Sequence, residues 1–247
     1  MTTSQQILNQ LSELADATIA EHSSRFFKSG VGEYGEGDKF WGIRVPALRQ
    51  IAKQNVATPL DEIVTLLYHD HHETRLLAVF MLVQIYEKNK KSPDIQQQVF
   101  DLYLQHSKQF NNWDLVDSSA HKICGPHLYN QKKVNQEIDK QDRSILYTYA
   151  KSDNIWQRRI AMMTTYYFIK RDDYQDAFAL AKILLNDQHD LIHKIVGWML
   201  REVGNRNLMA EREFLNQHYQ DMPRTMLRYA IEKFDKPIRH QYLKGLI

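Results

Sequence analysis

LLAVFMLVQ, residues 76–84, decides the fold class. Leu76, Leu77, Phe80, Met81 and Val83, running up to Gln84, follow helical spacing and not the strict alternation of a half-buried strand. The same rhythm extends outward in both directions. It appears as Ile7, Leu11, Leu14, Ala15 and Ile19 near the start, as Ile160, Met163 and Tyr167, and as Ile195, Trp198 and Met199. No period-2 stretch is bounded by hairpin dipeptides, and nine glycines in 247 residues are too few for many tight β-turns. The pattern predicts an all-α fold.

About a dozen helices of roughly 10–17 residues are expected, interrupted at Pro46, Pro59, Pro93, Pro126, Pro223 and Pro237, with Ser152-Asp153-Asn154 as one start signal. Helix pairs beginning near Pro59, Pro93 and Asp153 show a weak spacing of about 35–40 residues. This favours a degenerate helical-repeat solenoid with one concave face over an irregular bundle. The whole chain, 1–247, is read as one domain.

Composition narrows the class further. With 43% hydrophobic residues and 32 Lys+Arg against 30 Asp+Glu, the chain can bury a core and is not intrinsically disordered. The single cysteine, Cys124, excludes an internal disulfide and a Cys-based zinc site, so a reducing cytosol is expected. MTTSQQILNQLSELADA lacks the basic region and apolar core of a signal peptide, and no run of about 18 apolar residues occurs; neither secretion nor membrane spanning is expected. Residues 1–150 hold 16 basic against 18 acidic residues, and residues 151–247 hold 16 against 12. That excess permits a polyanion-binding face in the C-terminal half.

One stretch breaks the helical rhythm. GVGEYGEGDKFWGIRVP, residues 30–46, holds five of the nine glycines, so a shaped loop with positive φ values is expected. It lacks a Walker-type phosphate-binding pattern. Two readings stand: a connection that tucks Phe40, Trp41 and Ile43 into the core with Pro46 starting a helix, or a loop that also touches a ligand.

Three tryptophan-bearing segments carry the candidate chemistry. In FNNWDLVDSSAHKICG, residues 110–125, Asn112 is a plausible N-cap, and Asp114 sits in the first turn, where the helix dipole favours a carboxylate. Asp117 follows Trp113 by four residues, about 40° round the helix, so indole and carboxylate share a face. That pair reads either as core packing or as a site for a cation. In SDNIWQRRIAMMTTYY, residues 152–167, Arg158 and Arg159 point about 100° apart. In DLIHKIVGWMLREVG, residues 190–204, Lys194 and Trp198 are an i,i+4 pair with Arg201 behind, and Gly197 suits close backbone approach. YHDHHETR, residues 68–75, clusters His69, His71, His72 and Glu73, but without metal-ligand spacing; it reads as a solvated turn between helices, and no metal is expected.

NNWDLVD, NIWQRR and HKIVGWMLRE, in this order, together with GIRVPALRQIAK and MPRTMLRYAIEKF, resemble the AlkD-like DNA alkylation repair family, HEAT-like-repeat alkylpurine DNA glycosylases, over residues 30–235. The resemblance implies a curved solenoid cradling duplex DNA that contains alkylated bases. It assigns the cleft tryptophans to Trp113 and Trp198, the catalytic carboxylate to Asp117, the cleft arginine to Arg159, and a family aromatic to Tyr34 in a loop that departs from the best-known members. Arg158, Lys194, Arg201, Arg224 and Arg228 are the further expected DNA contacts. A monofunctional, cofactor-free monomer without an obligate protein partner, acting on DNA in a bacterial cytoplasm and associated with the nucleoid when it does so, follows from the same resemblance. The alternative is a non-catalytic helical-repeat protein that binds DNA structures, RNA or a protein.

Overall fold

The computed structural model describes residues 3–134 and 143–247. Among them are fourteen α-helices and a single isolated bridge, Lys39 to His71, with no strand. The all-α expectation holds. Contacts divide the chain into two compact units, Met1–Ser119 and Ala120–Ile247.

The first unit holds α1 (Thr3–Glu13), α2 (Ala17–Phe26), α3 (Val45–Gln54), α4 (Leu60–Leu67), α5 (His72–Lys88), α6 (Pro93–Gln105) and the start of α7 (Trp113–Val134). Its centre is α5, buried on every side from His72 to Tyr86 apart from Gln84, with α3, α4 and α6 packed round it. An all-round apolar helix has no solvent face to offer and must occupy the middle. The segment from Ile7 to Ile19 is not one helix: α1 stops at Glu13, Leu14 is exposed, and Asp16 caps α2 by accepting the Ile19 N–H at 3.0 Å. Asp16 supplies an N-cap acceptor that apolar periodicity cannot register.

The second unit holds the rest of α7 and then α8 (Ser144–Ala150), α9 (Ile155–Ile169), α10 (Gln175–Leu184), α11 (Asp190–Gly204), α12 (Leu208–His218), α13 (Arg224–Ala230) and α14 (Lys236–Lys244). Here α11 is central, touching α9, α10, α12 and α13. A Cβ on Gly197 would meet the Met226 carbonyl of α13 at 2.3 Å, so the close approach expected there is real.

The prolines behave as start signals with one exception. Pro46, Pro93 and Pro237 occupy the first turns of α3, α6 and α14, and Pro59 and Pro223 are the N-cap residues of α4 and α13. Pro126 was expected to interrupt a helix and instead lies inside α7. Its ring removes one backbone donor, a cost of about 3 kcal/mol. Burial of Ile123, Cys124 and Leu128 around it offsets that loss.

Candidate active-site residues

The start of α7 is built before its functional side chains are. Buried Asn112 accepts the Trp113 N–H on its Oδ1 at 2.8 Å, and Asp114 Oδ1 accepts the Leu115 N–H at 2.9 Å. These bonds occupy donors that the first turn of any helix leaves open. Trp113 is half-buried, stacked on Phe27 with ring centroids 5.5 Å apart and met edge-on by Phe26 at 5.8 Å. Phe26 itself is 56% exposed. Asp117, also half-buried, follows one turn along the same helix.

Beneath this aromatic group lies a buried charged network. His72 opens α5 at 1% exposure, with Nε2 2.9 Å from Asp114 Oδ2 and Nδ1 3.4 Å from Asp38 Oδ2. Arg75 donates to Asp38 Oδ1 at 2.6 Å and to the carbonyls of His69 and Asp70, and the Asn112 amide reaches Asp38 Oδ2 at 3.5 Å. Burial alone would drive the His72 imidazole down, but Asp114 and Asp38 push it up to about 9. The Asp38 carboxyl, which burial would raise, is held below its ordinary value by His72 and Arg75.

The reading of YHDHHETR as a solvated turn holds for residues 68–71, where Tyr68 and Asp70 are exposed between α4 and α5, and is corrected for residues 72–75, which are buried in α5. His72 and Glu73 are buried, and the Glu73 carboxylate accepts the N–H groups of Trp41, Gly42 and Ile43 at 2.8–3.3 Å. His71 stacks on Trp41 at 3.8 Å. The histidines thus serve different neighbours, and no group of three or more His, Cys, Asp or Glu among the described residues is placed to hold a metal ion.

The glycine loop is shaped as its composition implied, with Gly32, Gly37 and Gly42 at positive φ. At Gly42, φ is +79° and a Cβ would lie 2.0 Å from the Asp16 carbonyl, so no other residue fits without a backbone shift. Ile43 is buried, whereas Phe40 and Trp41 are half-buried. Tyr34 is half-buried in the turn between Gly32 and Gly37.

In the second unit, Trp198 is half-buried on α11, and its Nε1 donates to Glu202 Oε1 at 3.1 Å. Glu202 pairs with Lys170, which lies over the Tyr166 ring, and that ring sits 6.2 Å from Trp198. Arg159 is buried and donates to the Leu191 carbonyl at 2.8 Å, joining α9 to α11. Arg158 is held by Asp187 at 2.6 Å and by the Ser152 and Asp153 carbonyls. Lys194 pairs with Asp190, Arg201 with Glu232, and Arg224 with the Leu243 carbonyl; Arg228 is exposed. Five of the expected cations, Arg158, Arg159, Lys194, Arg201 and Arg224, thus have partners within the fold.

Sequence reading singled out Trp113, Asp117 and Trp198 as candidates but not their neighbours Phe26, Phe27, Tyr166 and Glu202, nor the Asp38–His72–Asp114 network. The Phe26-Phe27 pair directly before the glycine loop was the available signal. The network joins positions 34 and 42 residues apart, which no local pattern displays.

The sequence model of the DNA alkylation repair enzyme family matches residues 7–234. A solved structure described as a predicted DNA alkylation repair enzyme from Enterococcus faecalis is similar in fold, with TM-score 0.66 and 16% identity, over 90% of this chain and 97% of that one. No curated protein matches the chain. The chain belongs to the DNA alkylation repair enzyme family. That membership supports an enzymatic role in the repair of alkylated DNA.

Proposed function

We propose that the protein is a monofunctional DNA glycosylase that hydrolyses the N-glycosidic bond of purines alkylated at N3 or N7 in duplex DNA. The observation that carries this reading is the start of α7: a half-buried Trp113 backed by Phe26 and Phe27, with the Asp117 carboxylate one turn along, in a chain of the alkylation repair family.

The chemistry suits those groups. An N3- or N7-alkylated purine is cationic, so the glycosidic electron pair leaves with a base that becomes neutral and needs no general acid. Positive charge develops on the sugar, water adds at the anomeric carbon, and its proton passes to a carboxylate or to solvent. A carboxylate about 4 Å from that charge contributes roughly 4 kcal/mol at an effective dielectric near 20, about a thousandfold in rate. Asp117 is assigned this role and the orientation of the water. The indole faces of Trp113 and Trp198 are assigned cation–π contacts of roughly 0.5–2 kcal/mol each.

Arg159 is assigned a flanking phosphate, in addition to its bond to Leu191. Arg228, which is exposed, suits a phosphate contact best among the expected cations. Tyr34, Lys194, Arg201 and Arg224 are proposed as lesser contacts, each needing its present partner to share or yield. Arg158 is assigned to the fold through Asp187.

The test is base release from duplexes carrying N3-methyl, N7-methyl and neutral adducts. Release confined to the cationic lesions supports the proposal; equal rates on neutral adducts refute the mechanism. Binding to methylated duplex without release of any base would favour the non-catalytic alternative.

A further inference from the structure

We propose that His72 is a positioning residue for Trp113, fixing the start of α7 through Asp114 and backing the indole through Phe27. The inference rests on the glycosylase reading only in that Trp113 is taken to face the nucleotide.

The geometry gives His72 one consistent state. Each imidazole nitrogen meets a carboxylate oxygen, Nδ1 that of Asp38 and Nε2 that of Asp114, and a carboxylate can only accept. Both nitrogens must donate, which requires the imidazolium. Charge counting agrees. Two carboxylates, Asp38 with its side chain buried and Asp114 half-buried, face one guanidinium, Arg75, and the remaining negative charge is balanced only when His72 is protonated. Among the described residues, the aromatic rings packed on the imidazole are Phe27 at 4.4 Å and Phe40 at 5.3 Å, neither of which titrates.

Two routes then lead from His72 to Trp113. One is covalent: Asp114 is the next residue, so a bond that holds its side chain holds the first turn of α7. The other runs through rings, since Phe27 contacts His72 on one side and Trp113 on the other. Asp38 ties the middle of the glycine loop to the same point, so loop, α5 and α7 share one anchor. Because His72 balances Asp114, that carboxylate is committed to the fold, which fits the assignment of the catalytic charge to Asp117.

The test uses the full chain labelled with 5-fluorotryptophan, with the Trp113 resonance identified through Trp113→Phe. In the wild type, the Trp113 fluorine signal is expected to titrate with a midpoint near 9 while that of buried Trp156 stays put. In His72→Gln, that titration should vanish, and kcat for base release should fall by about tenfold with KM for DNA within about threefold. A Trp113 signal flat through this range in the wild type overturns the proposal without any variant having to fold. So does a His72→Gln protein that loses stability but keeps both its Trp113 signal and its kcat. If the wild type releases no base, the functional reading fails alone, and the fluorine titration still decides the positioning role.

Discussion

Raising the pH should unpick the first unit from the inside, because its buried anchor depends on one proton. His72 sits at about 9 in the folded chain against an ordinary value of 6.5. A group raised by folding contributes stability that is complete below its unfolded value and is lost as the pH climbs through its folded value. The gap, at about 1.4 kcal/mol per pH unit, is worth roughly 3 kcal/mol. The assay is urea unfolding followed by helical circular dichroism, at about pH 6, 8 and 10, for the wild type and His72→Gln. The variant leaves Asp38 and Asp114 without a cation between them, so it should be the less stable protein at low pH. The difference between the two proteins should shrink by roughly 3 kcal/mol over the series, as only the wild type has the proton to lose. Taking the difference removes the contributions of other groups that titrate in the same range. A difference that stays constant with pH would refute the charged state of His72 and with it the account of the anchor.

Three further outcomes are expected. Glu211 is buried against Gly204, and burial raises its carboxyl from 4.5 to about 8. Stability is thus lost as the pH rises through that interval, and Glu211→Gln should be more stable than the wild type by roughly 2–4 kcal/mol near pH 8 and equal to it near pH 4, checked by thermal unfolding. Gly42→Ala should lower stability by roughly 2–4 kcal/mol, since φ is +79° and the new methyl meets the Asp16 carbonyl; a neutral result in denaturant unfolding would show that the loop gives way. DNA binding should weaken steeply with salt, and Arg228→Ala should flatten the slope of log K against log salt by about one if that side chain meets a phosphate. An unchanged slope would remove Arg228 from the interface.

Much of this molecule was legible because helices advertise themselves locally. The apolar run of α5, the prolines that open α3, α6 and α14, and the Asn154 cap of α9 all lie within a few residues of the structure they specify. Where an element depended on distant partners, reading along the chain failed. Pro126 has the local signature of a break, yet packing around Cys124 and Leu128 carries α7 through it. In YHDHHETR, Tyr68 and Asp70 are exposed as a polar turn should be, but His72 and Glu73 are buried because Asp38, Asp114 and the backbone of residues 41–43, all remote in sequence, take up their polar atoms. The same limit hid the partners of the expected DNA contacts Arg158 and Arg201, since Asp187 and Glu232, which hold them, lie 29 and 31 residues away. Trp113 with Asp117 was visible because their relation is a single helical turn.

The central claim is that the Asp117 carboxylate stabilises charge developing on the sugar, and one substitution isolates it. Asp117→Asn keeps the size and most of the hydrogen-bonding capacity of the side chain while removing its charge. Single-turnover release of 7-methylguanine from duplex DNA, measured beside DNA affinity, is the direct test. The account predicts a fall of roughly 100-fold or more in the rate of release with affinity changed by less than about threefold. Release by the variant at close to the wild-type rate would contradict it.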